Sequence, residues 1–151
     1  MTSELYTLQE FSDTAKRRVR EARALLDHPP RQKQRDGAVM LALLAAECAL
    51  KAALMYGHRL NTTDQAEEKE RSRWFRSTTG HDLQILWNDQ SASQRDLAGP
   101  RHNDAVSKLH QANPYAYRYG KKKPVREHAA PFVDHAEVLV EWMKDIIGIQ
   151  P

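Results

Sequence analysis

The sequence predicts an all-α protein, a four- to five-helix bundle formed as one domain over residues 1–151. Three observations predict it. The longest apolar run, from Asp36 to Gly57, is rich in Ala and Leu, free of Pro, and periodic at three- and four-residue steps. Segments near both ends of the chain carry one-sided apolar stripes of the same spacing. β-Branched and aromatic residues are sparse, which leaves little material for a sheet.

Taken in order, Thr7-Leu8-Gln9-Glu10 has the spacing of a capping box. Leu8, Phe11, Ala15, Val19, Ala22 and Leu25/Leu26 then hold a helical stripe until Pro29-Pro30 stop it. A short basic loop, 31–35, leads into the central helix, so the first two helices are expected to be antiparallel neighbours. In the central helix Val39, Leu43, Ala46, Leu50 and Ala53/Leu54 share one face, and Met40, Leu44 and Cys48 form a second. A helix apolar around most of its circumference belongs in the middle of a bundle. Asp36 is expected to cap its start, and Gly57 to supply the left-handed residue that ends it. Glu47 and Lys51, spaced i, i+4, are expected to pair. Inside a bilayer each such charge would cost roughly 3 kcal/mol, so the run predicts a bundle core and no membrane contact.

Residues 58–80 are polar, with Trp74-Phe75 as their apolar anchor. They predict either a helical turn within Asp64–Trp74 or a functional loop. The stretch from Thr78 to Leu83 reads as the start of a third helix, with Leu83, Leu86 and Trp87 on one face. That helix is short, or runs on through Ser91–Leu97 to Gly99-Pro100. A fourth, Asn103–Ala112, carries Val106 and Leu109 and ends at Asn113-Pro114. The last begins with Pro131 at its first position, bears Phe132, Ala136, Leu139/Val140, Met143 and Ile147, and closes at Gly148.

Lys and Arg outnumber Asp and Glu by 23 to 20, a net charge of +3. The cations cluster at 16–23, 31–35, 71–76 and 120–123, as solvated helix faces or as contacts for an anionic partner. Cys48 stands alone, which excludes an internal disulfide and makes a reducing compartment the default. The first apolar residues are interleaved with charge, unlike a signal peptide, so a cytoplasmic location is expected. Seven histidines include no i, i+4 pair on one helix and have no Cys pair beside them, so neither a metal site nor a cofactor is expected. The densest aromatic and basic cluster holds Tyr115, Tyr117, Arg118 and Tyr119, then Lys121, Lys122 and Lys123. Aromatic faces stack bases while cations hold phosphates. Alternatively, the tyrosines plug one end of the bundle and the lysines form a solvated turn.

Three stretches in order, AAECALKAAL at 45–54, GHDLQIL at 80–86 and YRYG at 117–120 before a final amphipathic helix, resemble HEPN domains. The resemblance runs from about Leu8 to Ile147 and implies an all-α bundle that forms a homodimer. Leu83/Leu86/Trp87 or Val138/Trp142 are candidate faces left over for that contact. It further implies RNA or a nucleotide as ligand, and a metal-independent endoribonuclease of a defence or toxin–antitoxin system, with an antitoxin or another defence protein as partner. Non-catalytic dimerisation modules and small-nucleotide sensors are the alternatives. The family's ribonuclease motif is Arg, four to six residues, then His. That spacing occurs at Arg95…His102, Arg76…His81 and Arg23…His28, with Arg95…His102 the best placed. Arg118 of YRYG is followed by no His before His128. The polar residue that often follows the motif Arg is replaced by Asp96, Ser77 or Tyr119. Arg95, His102, His81 and Arg118 are therefore the candidate catalytic residues. Arg118, Tyr119, Lys121, Lys122 and Lys123 are the candidate phosphate contacts. In such a site His moves protons to and from the ribose hydroxyl, and Arg stabilises charge on phosphorus.

Overall fold

A computed structural model describes residues 5–27, 32–76, 82–111 and 129–148. Among them are seven α-helices: α1 (Leu8–Leu26), α2 (Gln32–Gly57), α3 (Glu68–Arg71), α4 (Leu83–Asn88), α5 (Ala92–Asp96), α6 (Pro100–Gln111) and α7 (Ala129–Ile147). A 3-10 turn (Thr63–Gln65) and a π turn (Ser72–Arg76) flank α3. No strand forms among the described residues, and the one β-bridge joins Thr7 to Thr62. The all-α expectation holds. The long helices are those read from periodicity, and three of the seven are single turns or little more.

The capping box at the start of α1 forms: Thr7 Oγ1 accepts from Glu10 N–H, and Glu10 Oε1 accepts from Thr7 N–H, both at 3.0 Å. Leu8 N–H donates to Asn61 C=O and Thr63 N–H to Tyr6 C=O, which ties the chain's entry to the far end of α2. At the other end, a β-carbon on Gly37 would lie 3.3 Å from Leu25 Cδ1, so the end of α1 crosses the start of α2 there. Helices α1 and α2 are therefore antiparallel neighbours. The close crossing explains a glycine inside a helix, where it costs about 1 kcal/mol.

Helix α2 is the core. Val39, Ala46, Leu50, Ala53 and Leu54 are fully buried and Leu43 nearly so, while Met40 and Leu44 of the second stripe are half-buried. It is long and apolar enough to cross a membrane, but 78% of that window is buried inside the bundle. Helices α1 and α7 cover it, and α4 and α6 complete the shell. Burial pushes the Cys48 thiol up to about 12, which makes it a small apolar filler. Lys51, only 5% exposed, donates to Glu47 Oε2 at 3.0 Å and sits 5.8 Å from the centre of the Phe11 ring. The expected pair is thus part of the core, its cation shared between a carboxylate and a π face.

Both ends of α2 depart from expectation. The helix begins a turn before Asp36, because Gln32 to Arg35 are good helix formers with nothing to break the helix. Gly57 is its last helical residue, and the left-handed position falls to Arg59, at φ 60°. Leu60 N–H reaches Met55 C=O and Arg59 N–H reaches Tyr56 C=O, the paired bonds of a Schellman end. Packing demands the glycine two residues earlier. A β-carbon on Gly57 would lie 2.7 Å from Gln94 Cδ and would also strike Oε1.

Leu83, Leu86, Trp87 and Trp142 are each 3% exposed or less, and the Trp87 and Trp142 rings lie 5.0 Å apart. The faces expected to remain for a partner are consumed by the monomer's core, with Val138 half-buried. Trp74 anchors the 58–76 segment as expected. It is buried against His58, and its indole N–H donates to Asp89 Oδ2 at 2.7 Å.

Candidate functional site

Two buried glutamines fix the segment between α4 and α6. Gln90 donates through Nε2 to the carbonyls of Leu50 (2.9 Å) and Leu86 (3.0 Å), and Gln94 to that of Ala53 (2.8 Å). Each carbonyl on α2 has a second lone pair to spare beyond its helical bond. Ser91, extended at φ −62° and ψ 154°, interrupts the helix between them, so α5 starts afresh. With Gln94 held on α2, its neighbour Arg95 is turned outward.

Arg95 lines a cleft of about 300 Å³ with Gln84, Trp87 and Asn88 of α4, Asp96 of α5 and Asn103 of α6. The Trp87 indole N–H donates to Asn103 Oδ1 at 2.8 Å, joining the two walls. Gln84 donates to Asn88 Oδ1 at 2.9 Å along α4. The Arg95 guanidinium makes no hydrogen bond or ion pair with a described residue, whereas three other arginines are neutralised internally. Arg18 pairs with Glu21, Arg23 with Asp134 and Glu137, and Arg73 with Asp89. Arg18 and Arg23 of the 16–23 cluster and Arg73 of the 71–76 cluster are therefore spent on intramolecular pairing. A second cleft, about 490 Å³ between α1 and α7, is lined by that Arg23–Glu137 pair together with Val19, Arg20, Val140 and Glu141.

His102 does not share the Arg95 cleft. It is 9% exposed, and its Nδ1 accepts the Gly99 N–H at 2.8 Å, closing the first turn of α6. Burial, helped by the charge of Arg101, pushes the imidazole below the ordinary histidine range. Accepting from a backbone N–H demands the same neutral form. The sequence spacing Arg95…His102 thus places an outward cation and an inward, hydrogen-bonded imidazole on consecutive helices. His81, Arg118, Tyr119, Lys121, Lys122 and Lys123 lie outside the described residues, as do His28, His128 and the side chain of Arg76. Among the described residues no three His, Cys, Asp or Glu side chains come together as a metal site.

Of the residues that form the cleft, only Arg95 carries a sequence signal for function. Trp87 reads from the sequence as part of an apolar helix face offered to a partner, and in the structure it is buried in the core. Gln84, inside the GHDLQIL stretch, and Asn88 and Asn103, in no motif, are uncharged and become a site only through the packing of α4 on α6. Comparison with protein-family models, curated proteins and solved structures finds no match to this chain.

Proposed function

We propose that this chain is a cytoplasmic, homodimeric HEPN-like domain that binds RNA or a nucleotide, with Arg95 as a phosphate contact. The single observation that carries this reading is a guanidinium with no ion pair among the described residues, lining a polar cleft together with Trp87. Arg pairs phosphate oxygens through a planar, permanently charged fork, and among the described residues no carboxylate claims it in an ion pair. Binding ranks above cleavage, because His102, the best-placed histidine, is occupied as an acceptor and turned inward. Metal-independent cleavage would draw on His81 or His128 instead.

The test is fluorescence anisotropy with a labelled single-stranded RNA over a salt series. Arg95→Ala is expected to weaken binding about tenfold and to flatten the salt dependence, since one phosphate contact fewer releases fewer counterions. Unchanged affinity and slope would refute the site. Light scattering in the same buffer tests the dimer, and a strictly monomeric mass would refute that part.

A further inference from the structure

We propose that the Arg95 cleft selects a terminal phosphate, the phosphomonoester end of a nucleotide or RNA, over an internal phosphodiester. The inference rests on the RNA or nucleotide reading for the identity of the ligand, but its geometry is separate. An indole nitrogen can only donate, so the Trp87–Asn103 bond forces Asn103 to present Oδ1 to the ring. That leaves the Asn103 Nδ2 group as a donor on the cleft wall. In the α4 pair Asn88 is the acceptor, so its Nδ2 group is likewise left to donate. With Arg95, three donor groups from three helices line a space of about 300 Å³. That is the small end of the range for ligand pockets.

A terminal phosphate offers three unesterified oxygens to three donor groups. A diester offers two and carries less negative charge, so it makes about one charged hydrogen bond fewer with the three solvent-exposed donor groups. The volume suits a phosphate and its sugar better than a continuous strand. Asp96 is the one carboxylate on the lining. It offsets the charge of Arg95, so the oriented amides, not net charge, carry the selectivity. Beside three donor groups, its oxygens suit a hydroxyl of the attached sugar.

Isothermal titration with three matched short RNAs, ending in a 5′-phosphate, a 3′-phosphate or hydroxyls alone, tests the proposal, with inorganic phosphate as a fourth probe. At least one phosphorylated end is expected to bind about tenfold tighter than the hydroxyl form, the value of one charged hydrogen bond. The two ends show which terminus is read. Asn103→Asp retains the acceptor for the Trp87 N–H while replacing the free donor with an anionic oxygen. It is expected to abolish the preference with the melting temperature little changed. Asn88→Asp makes the same exchange on the opposite wall, should the first variant fold poorly. Asp96→Asn is expected to tighten inorganic phosphate several-fold by removing a repulsive charge. Equal affinity for all three RNAs, or a preference that survives both Asn variants, would overturn the inference. If all three RNAs bind equally through Arg95, RNA binding stands and the terminal-phosphate reading falls. If inorganic phosphate binds and no RNA does, the phosphate subsite stands and the RNA reading falls.

Discussion

Replacing Gly57 with Ala sets two effects of opposite sign against each other, and the structure decides between them. On helix propensity alone the change should stabilise the last turn of α2 by about 1 kcal/mol. A β-carbon there, however, would stand 2.7 Å from Gln94 Cδ and 2.8 Å from Nε2, too close for any real contact. Gln94 is 4% exposed and has little room to retreat. Displacing it breaks the 2.8 Å bond to the Ala53 carbonyl inside the core, at about 1–3 kcal/mol. The crowding adds a further cost of about 1–3 kcal/mol. The net expectation is destabilisation by about 1–5 kcal/mol, a fall in melting temperature on the order of 10 °C for a chain of this size. Urea unfolding of the single variants Gly57→Ala and Gln94→Ala, and of the double variant, measures it. Once Gln94 is truncated, Gly57→Ala should become neutral or stabilising, a coupling of more than about 1 kcal/mol between the two sites. Because Gln94 also holds α5 against α2, Gly57→Ala should weaken ligand binding at Arg95 without touching the cleft. A Gly57→Ala protein as stable as wild type would refute the reasoning.

Three other perturbations follow from the same structure. Arg59→Gly relieves a left-handed residue at the Schellman end of α2 and should stabilise the fold by about 1 kcal/mol in chemical denaturation. His102 is held below its ordinary range by burial, so near pH 6 and below the unfolded chain binds more protons than the folded one. Stability should be full above about pH 6.5 and fall as pH drops towards the folded value, and His102→Gln should flatten that limb of the melting profile. Burial pushes the Asp89 carboxyl up, but the bonds from Arg73 and Trp74 outweigh it and hold it below the usual range. Its contribution should be present above about pH 4 and lost as pH falls further, with Asp89→Asn removing that dependence.

Long periodic segments were legible in the sequence because burial of one face at 3.6-residue spacing leaves a pattern in the residues themselves. Helices α1, α2 and α7 and the buried face Leu83/Leu86/Trp87 all carry it. The ends of α2 were less legible. Whether Asp36 caps or Gln32 begins the helix depends on helix formers that suit either choice. Gly57 looks like a stop signal because the sequence does not reveal that Gln94, in a distant segment, packs over it. The break between α4 and α5 is likewise made by long-range bonds, from Gln90 and Gln94 to carbonyls of α2. The candidate site follows the same division. Arg95 was visible as a cation at a suggestive spacing from His102, but spacing along a chain does not say which way two side chains turn. The carboxamides beside Arg95 left no trace, since an Asn becomes a directed donor only when an indole across the cleft occupies its oxygen.

Nitrogen-15 NMR of the wild-type protein tests the central claim most directly, because its three indole N–H groups report from three distinct places. Trp87 lies on the cleft, Trp74 is bonded to Asp89, and Trp142 is buried behind Trp87. On titration with a short single-stranded RNA, the Trp87 indole and the side-chain amides of Asn88 and Asn103 should shift together, with the Trp74 indole unmoved. Saturable shifts confined to other residues, with Trp87, Asn88 and Asn103 silent, would contradict the assignment of the Arg95 cleft as the binding site.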